Sequence, residues 1–553
     1  MNIFKKMLID NTDDNQIQQV TEELLNPVLF KLTDEQTAVM DNSVESIGKG
    51  RSVIIKGSAG TGKTTVVPYI IKQLSIKHIC IAAPTWKALR VVRVKIGDDD
   101  KLDFNTVAYL SGLSPNANLD YFDPNNVKFK RNTKQSAERI GEYKLIIIDE
   151  GSMIKRVISK FLFDMSKETN VIFLVLGDEF QLPPVKETMS FSLREHEGFD
   201  IYTLTTIIRQ KADNKTFNLI TPLLNDIINE KNLVNDIIKE TFDVGTTTDE
   251  WKAILDNYKY TEIKTSDKWF DVLANKPSDI TKETGGYICL STHKFNDVIK
   301  QYFRKEELKD NIDYIKYIAY TNENVQIYNT LIKTAIDKHN TICKGNYLLG
   351  YKDVRIGDTK VLGNSDEFIV EDTQPHIQYY KKNVAGCLIL TKKLTEITIE
   401  GQLCKLKNLF DNKIITIFIP SKTATNHELI RREHLKYFVP NYKGMNLIQS
   451  MRKYYPKHME FFNGIVLSTD IVIVDKKTIK KNIDFAYGIT VHKSQGSTYK
   501  CSFIDIKNIL DTSNMIMSRE QNNLKKLLIS INTKQMIYTA LTRSSHINIL
   551  NIK

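Results

Sequence analysis

Cysteine is scarce in this 553-residue sequence, and its 6 cysteines form no C-x-x-C pair. This scarcity argues against a disulfide framework and against a cysteine-ligated metal cluster, and it fits a reducing compartment. No apolar stretch approaches the length of a transmembrane helix, and the apolar run at the start of the sequence is too short for a signal peptide. We therefore expect a soluble protein of the cytoplasm.

Acidic residues are outnumbered by basic ones, with 66 Asp and Glu against 77 Lys and Arg, which gives a net charge of +11. An excess of this size suits a polyanionic partner such as nucleic acid. The apolar fraction of 41% is ample for globular folding. The chain is too long for a single core, so we expect about three or four domains.

The segment GSAGTGKTT follows the apolar run Val53-Ile54-Ile55 and precedes a helical pattern. Its spacing is that of a phosphate-binding loop, in which glycines let backbone N–H groups approach phosphate oxygens. Lys63 would reach the β- and γ-phosphates, and the Thr64 hydroxyl would hold Mg²⁺. The candidate nucleotide-binding residues of the loop are Gly57, Ser58, Ala59, Gly60, Thr61, Gly62, Lys63, Thr64 and Thr65.

Acidic side chains end the continuous apolar run 145–148, which predicts a parallel strand buried on both faces. Asp149 would hold Mg²⁺, and Glu150 would polarise the attacking water. The next such strand, 171–176, leads to Gln181, which is placed to sense the γ-phosphate. Arg209 offers a planar guanidinium that can stabilise charge on the transferring phosphoryl group.

Two further segments have two interpretations each. Thr33 and Gln36 form a capping-box pattern, and the Gln36 amide is also able to contact the adenine edge. Thr85 and Lys87 follow the strand 79–83, where they can touch a phosphate backbone, while Trp86 stacks on a base or simply packs.

The remaining sequence is less specific. Residues 114–142 form either a β-hairpin with exposed aromatics or a flexible loop, and 211–285 carry no motif. A second α/β region begins at the predicted strand 287–290. Residues 350–480 predict an all-β insertion. It includes a basic, aromatic segment at 442–457 that suits either single-stranded nucleic acid or a solvated helix face.

Taken in order, these elements resemble superfamily 1 helicases, specifically the Pif1/RecD-like branch and within it the phage Dda-type helicases. The resemblance runs from Leu32 to Arg543 and rests on the segments LTDEQ, GSAGTGKTT, APTWKA, IIIDEGSM, GDEFQLPP, LTTIIRQ, AYTN, TVHKSQGST and YTALTR. It implies an α/β fold of two RecA-like P-loop NTPase domains that bind ATP and Mg²⁺ between them. A small pin insertion in the first domain and a β-rich, SH3-like insertion in the second are implied as well.

The resemblance also implies domain boundaries and residue roles. The boundaries are an N-terminal extension at 1–27, domain 1A at 28–285 with the pin at 114–142 and a helical region at 211–285, domain 2A at 286–349 and 481–553, and an inserted domain at 350–480. The resemblance gives adenine contact to Gln36, metal binding to Thr64 and Asp149, and catalytic roles to Lys63, Asp149, Glu150, Gln181, Arg209 and Arg543, with Gly496 beside the nucleotide. It places Pro84, Thr85, His492 and Ser494 near the DNA, and it leaves the pin-tip aromatic open among Tyr121, Phe122 and Phe129.

The implied activity is ATP-dependent unwinding of duplex DNA by a monomer that moves 5′ to 3′ on single-stranded DNA. Single-stranded and forked DNA are the expected partners, with single-strand binding protein or replisome components as further candidates, in replication, recombination or repair. If a phage encodes the chain, its location is the host cytoplasm. A nucleic-acid scaffold with a decayed ATPase, a P-loop kinase or GTPase, and an RNA substrate are the alternatives.

Overall fold

The structure of the chain is a computed structural model that describes most of its residues. The described residues are 31–97, 99–115, 129–131, 133–184, 187, 190–208, 214–244, 285–304, 312–337, 341–351, 354–356, 359–382, 388–391, 397–421, 472–474, 477–479 and 481–552. They belong to two compact units. The described residues within Met1–Gly112, Thr133–Thr321 and Ile489–Lys553 form one unit, and those within Leu113–Asn132 and Asn322–Gly488 form the other. The predicted domain boundaries remain predictions.

The first half of the chain alternates strands and helices. Its elements are α1 (Asp34–Gly48), β1 (Ser52–Gly57), α2 (Lys63–Gln73), β2 (Ile79–Ala83), α3 (Trp86–Ile96), β3 (Leu102–Thr106), α4 (Val107–Leu110), β4 (Leu113–Pro115), β5 (Phe129–Arg131), α5 (Thr133–Gly141), β6 (Leu145–Ile148), α6 (Arg156–Thr169), β7 (Ile172–Gly177), β8 (Phe199–Leu204) and α7 (Phe217–Val244), with 3-10 turns at Gly151–Met153 and Phe191–Leu193.

A six-stranded sheet in the order β3-β2-β6-β7-β1-β8 organises this half. The strand pairs are parallel, and Val53 lies opposite Leu174 where β1 meets β7. The apolar runs of β1, β2 and β6 are buried on both faces because helices cover a parallel sheet on both sides. Parallel strands place their carboxyl ends at one edge, so the phosphate loop, Asp149 and the loop after β7 meet there.

Two local predictions have definite outcomes. The capping box at the start of α1 is confirmed, because Thr33 Oγ1 accepts from Gln36 N and Gln36 Oε1 accepts from Thr33 N. The sequence pattern of residues 104–113 predicts a short helix. That prediction is wrong in its first part, because residues Leu102–Thr106 form β3 and only Val107–Leu110 are helical. The backbone groups of β3 pair instead with those of β2. The local sequence pattern does not show that this stretch forms an edge strand of the sheet.

Strands β4 and β5 pair antiparallel, with Ser114 opposite Lys130. This pairing favours the hairpin interpretation of the predicted pin. Residues 116–128, including Tyr121 and Phe122, lie outside the described residues.

The second half contains another α/β region and a β-rich insertion. Its elements are β9 (Gly286–Leu290), α8 (Thr292–Tyr302), β10 (Ile315–Ala319), α9 (Asn322–Asp337), β11 (Tyr347–Gly350), β12 (Val354–Ile356), β13 (Thr359–Leu362), β14 (Glu367–Lys382), β15 (Leu388–Thr391), β16 (Ile397–Asn408), β17 (Ile414–Pro420), β18 (Val472–Val474), β19 (Lys477–Ile479), β20 (Ile483–Phe485), β21 (Gly488–Thr490), α10 (Val491–Ser494), β22 (Tyr499–Asp505), α11 (Ile506–Arg519), α12 (Asn523–Leu541) and β23 (Ser544–Asn551).

The second sheet has the order β21-β10-β22-β23-β9, and its pairs β10–β22, β22–β23 and β23–β9 are parallel. The two parallel sheets confirm the predicted α/β class and are those expected of two RecA-like domains. The β-rich character of the insertion is also confirmed, because β17-β16-β14-β11-β20 form an antiparallel sheet around a core that includes Phe368, Cys404 and Leu406. Its SH3-like identity remains a prediction.

Across the described part of the chain, the helices fall short of the length and apolar character that crossing a membrane requires.

Candidate functional site

The phosphate loop joins β1 to α2 at the carboxyl edge of the first sheet. Gly60 and Gly62 have φ values of 91° and 83°, which L side chains rarely adopt. Lys63 Nζ donates to the carbonyls of Gly57 and Ser58 at 2.7 and 3.0 Å. Thr61 Oγ1 donates to the Ser58 carbonyl, and Thr65 N donates to that of Gly62. The loop therefore has a defined curve that ends in the amino end of α2, a site suited to anions.

Gln36 lies directly against this loop. Its side chain is buried, its Nε2 donates to the Thr61 carbonyl at 3.1 Å, and its Oε1 is used by the capping box. A Cβ on Gly62 would collide with Gln36 Nε2 and would lie 2.9 Å from Ile208 Cδ1. The amide therefore supports the loop as well as the cap, and its contact with adenine remains a prediction.

Substitution of Gly62 by alanine is expected to weaken both folding and nucleotide binding. The left-handed backbone alone costs about 1–2 kcal/mol once a Cβ is present, and the collision with Gln36 adds to that cost. Gly50→Ala is the control, because Gly50 also has positive φ but has open space where its Cβ would lie. Urea denaturation and titration with a fluorescent nucleotide measure the two effects. Equal losses in the two variants would contradict the role of the Gln36 contact.

Asp149 and Thr64 bring two side-chain oxygen atoms together beside the loop, and their binding of a metal remains a prediction. Thr64 Oγ1 lies 3.1 Å from Asp149 Oδ2, and Asp149 Oδ1 accepts from Glu150 N. Hydroxyl and carboxylate oxygens suit Mg²⁺, which in phosphate sites uses few protein ligands together with phosphate and water. Among the described residues, no group of three or more His, Cys, Asp or Glu side chains is arranged to hold a metal.

Glu150 has an unusual backbone and an unusual electrostatic environment. Its φ of 54° lies in the left-handed region, a type of strain that clusters at functional sites. Burial raises the pKa of the Glu150 carboxyl and Asp149 raises it further, whereas Arg543 and Lys63 lower it. A Cβ on Gly496 would lie 3.3 Å from Glu150 Cγ, so Gly496 closely approaches the Glu150 side chain. Its predicted position beside the nucleotide remains a prediction.

The loop after β7 is organised by Asp178, which is 1% exposed. Its Oδ1 accepts from Phe180 N, and its Oδ2 accepts from Gln181 Nε2 at 3.1 Å. Gln181 Oε1 is buried and has no hydrogen-bond partner among the described residues. Since a carboxylate only accepts, the amide of Gln181 must turn its donor side to Asp178 and its oxygen away.

Helix α12 contributes buried groups to which the sequence motifs assign no role. Tyr538 OH accepts from Ala59 N at 3.0 Å and donates to Asp178 Oδ2 at 2.9 Å. One turn earlier, Gln535 Nε2 donates to the Gln181 carbonyl, and Thr539, the residue after Tyr538, accepts from Leu182 N through its Oγ1. Tyr538 opens the YTALTR segment, and because a buried tyrosine hydroxyl usually has a partner, its place in that segment is the signal available in the sequence.

Arg543 follows the end of α12 and is only 2% exposed. Its guanidinium donates to the Thr539 and Ser497 carbonyls and to Thr542 Oγ1. Its charge still lowers the pKa of Glu150. The structure therefore places Arg543 in the neighbourhood of Glu150, and its contact with the γ-phosphate remains a prediction.

Lys87 does not lie where its side chain could contact a phosphate backbone. It is 4% exposed, and its Nζ donates to Tyr499 OH at 3.0 Å and lies 3.9 Å from Asp313 Oδ1. Arg90 donates to the same aspartate at 3.0 Å. The prediction that Lys87 touches a phosphate backbone is therefore wrong for this arrangement, because the ammonium is used inside the protein.

Two of the four predicted DNA contacts, Pro84 and Thr85, lie just before α3, and the other two, His492 and Ser494, lie in α10. Thr85 caps α3, since its Oγ1 accepts from Ala88 N, and Pro84 precedes it. His492 stacks on Tyr320 with 6.3 Å between ring centroids, and burial lowers its pKa. Ser494 is fully buried, and its hydroxyl donates to the Val491 carbonyl. Their contact with DNA remains a prediction.

Two predicted regions cannot be located. Arg209 and the basic, aromatic segment 442–457 lie outside the described residues. Phe129 lies in β5, but its side chain is likewise outside them.

Known proteins similar to this chain include helicases. An uncharacterized protein of Acanthamoeba polyphaga mimivirus is 25% identical over 496 residues, which cover 83% of this chain and 90% of that protein. The ATP-dependent DNA helicase PIF1 of Candida albicans is 26% identical over 234 residues, 37% of this chain and 24% of that helicase. The corresponding helicase of Campylobacter jejuni is 28% identical over 185 residues, 33% of this chain and 39% of that helicase. The chain thus spans less than half the length of either helicase.

A crystal structure of Pif1 helicase from Candida albicans aligns with 94% of this chain and 94% of its own, at 16% identity and a TM-score of 0.39. That likeness is too weak to assign fold or function. Residues 31–225, which contain the phosphate loop, Asp149 and Glu150, match the family model described as an AAA domain.

Proposed function

We propose that this chain is an ATP-dependent DNA helicase of the Pif1-like branch of superfamily 1. Three findings support the proposal: the order of the motifs, the AAA domain match over residues 31–225, and the local similarity to two ATP-dependent DNA helicases. The proposal extends to the Dda-type group, to 5′-to-3′ movement on single-stranded DNA and to a role in replication, recombination or repair.

One observation carries the proposal. The hydroxyl of Tyr538, on a helix of the second α/β region, contacts both the phosphate loop at Ala59 and the Gln181 loop through Asp178. A P-loop kinase or GTPase needs no second sheet at its nucleotide site. A nucleotide-driven motor does, because closing and opening a cleft between two sheets converts hydrolysis into movement.

The residues have distinct roles in this proposal. Lys63 neutralises the β- and γ-phosphates, and Thr64 and Asp149 would hold Mg²⁺, which would supply further charge neutralisation when bound. Glu150 takes a proton from the attacking water when its carboxyl is ionised. Arg209 and Arg543 stabilise charge on the γ-phosphoryl group, and Gln36 contacts adenine.

The DNA side of the proposal rests on Pro84, Thr85, His492 and Ser494 along one strand, with the predicted pin at 114–142 as the wedge. Each cycle of cleft closure would advance the strand toward that wedge. Single-strand binding protein and replisome components are proposed partners of a helicase that works as a monomer in the cytoplasm, in host cells if a phage encodes it.

Duplexes with a single 5′ or 3′ tail test the activity and its direction. We expect ATP-dependent strand separation from the 5′-tailed DNA and none from the 3′-tailed DNA. The same duplexes with RNA tails report on substrate class, since phosphate contacts alone do not discriminate between DNA and RNA.

Unwinding from the 3′ tail alone would overturn the assignment to this branch. ATP hydrolysis without strand separation on any substrate would overturn the helicase proposal. Preference for RNA tails would redirect the substrate assignment.

A further inference from the structure

The Tyr538 hydroxyl is completely buried and joins three chain segments. It accepts from the Ala59 backbone N–H in the phosphate loop and donates to Asp178 Oδ2 in the loop after β7. Burial raises the pKa of the Tyr538 phenol well above its usual value, and the Asp178 charge raises it further. The hydroxyl therefore keeps its proton and remains a donor to Asp178.

Asp178 transmits this contact to Gln181. The same Oδ2 atom accepts from Tyr538 OH at 2.9 Å and from Gln181 Nε2 at 3.1 Å. With both donors in place, the carboxylate has a fixed orientation and so does the Gln181 amide. The amide oxygen, which is buried and unpaired among the described residues, is then left to accept a hydrogen bond.

Helix α7 braces the same two segments. Lys231 Nζ donates to the Glu179 carbonyl and lies 5.9 Å from the centre of the Phe180 ring. Its neighbour Glu230 accepts from Lys534 Nζ at 2.8 Å and from Ser530 on α12. Two adjacent residues therefore hold the Gln181 loop and α12 together, which limits their relative movement around Tyr538.

We propose that Tyr538 is a positioning residue for ATP hydrolysis. Its hydroxyl ties α12 to the phosphate loop and, through Asp178, orients the Gln181 amide so that its oxygen can accept from the attacking water. This inference rests on the proposed function. Tyr538 acts on the reaction through Gln181 and does not itself touch the reacting atoms.

Tyr538→Phe removes both hydrogen bonds and keeps the ring in place. We expect kcat for DNA-stimulated ATP hydrolysis to fall by about tenfold to a hundredfold, the range that follows when a catalytic group loses its precise placement. The KM for ATP should change by less than about threefold, because the loop glycines and Lys63 are untouched. Steady-state hydrolysis in the presence of single-stranded DNA measures both constants.

Tyr317→Phe is the matched control. Tyr317 is also fully buried, and its hydroxyl donates to Asp505 Oδ2 at the same distance of 2.9 Å, away from the phosphate loop. Both variants should therefore show similar losses in thermal midpoint, but only Tyr538→Phe should lose kcat. A similar loss of kcat in both variants would show that the effect is one of stability and would overturn the inference.

A double substitution tests the route through Gln181. If Tyr538 acts by orienting that amide, adding Tyr538→Phe to a Gln181→Ala protein should lower kcat by less than about twofold further. Full multiplication of the two effects would contradict the route. If the unsubstituted protein hydrolyses no ATP, the proposed function fails; if it does and Tyr538→Phe matches its kcat, only this inference fails.

Discussion

Lys63→Ala is expected to abolish DNA-stimulated ATP hydrolysis, with kcat lowered by about a hundredfold or more, the loss typical when one preorganised contact to developing charge is removed. Lys63 opens α2, and its ammonium lies across the loop at 2.7 Å from the Gly57 carbonyl. The backbone carbonyls hold the charge where phosphate would bind, so alanine removes the charge without disturbing the helix. Strand separation should be lost together with hydrolysis.

Lys72→Ala makes the same change of charge on the same helix, at an exposed position in its last turn. It should keep hydrolysis and unwinding close to those of the unsubstituted protein. DNA-stimulated hydrolysis that survives in Lys63→Ala would contradict the whole assignment of the loop.

Glu150→Gln is expected to lower kcat by about 10²- to 10⁴-fold, the usual contribution of a general base, while nucleotide binding is kept. Glutamine keeps the shape of the side chain but cannot take a proton. Trapping of bound ATP, followed by filter binding, should therefore show a long-lived complex. The exposed Glu142→Gln serves as the control and should leave kcat unchanged.

The same substitution has an expected effect on stability that depends on pH. Burial and Asp149 raise the folded-state pKa of Glu150 above its ordinary value of 4.5, so the folded state favours the protonated form. The unsubstituted protein should match Glu150→Gln below about pH 4.5 and lose stability relative to it as pH rises toward the folded pKa. Thermal midpoints measured from pH 4 to 8 check the sign. A constant difference over that range would contradict it.

Strands and the phosphate loop were accessible to sequence reasoning because their signals are local. The strand β2 was predicted with the observed bounds, Ile79–Ala83, since a continuous apolar segment bounded by polar residues is typical of a buried parallel strand. The capping box of α1 was predictable for the same reason, because its signal lies within four consecutive residues. By contrast, β3 was missed because its pairing with β2 competes with a weak helical pattern.

The candidate site was predictable in its residue types but not in its connections. Gln181 and Arg543 were expected beside the γ-phosphate, yet nothing in the sequence indicated that Asp178 holds Gln181 or that three oxygens hold Arg543. Lys87 is predicted to be able to touch a phosphate backbone, but its ammonium donates to the Tyr499 hydroxyl, 412 residues away in the chain. Hydrogen-bond partners of this kind depend on how the sheets pack in the folded protein, and local sequence patterns carry no information about that packing.

The contact between Ala59 and Tyr538 can form only late in synthesis of the chain. The two residues are 479 positions apart. At ribosomal rates of about 5–20 residues per second, roughly half a minute to a minute and a half separates their emergence. For that interval a nascent chain holds the phosphate loop without the hydroxyl that joins it to Asp178. Under the proposed role of Tyr538, efficient ATP hydrolysis therefore waits until α12 has been made.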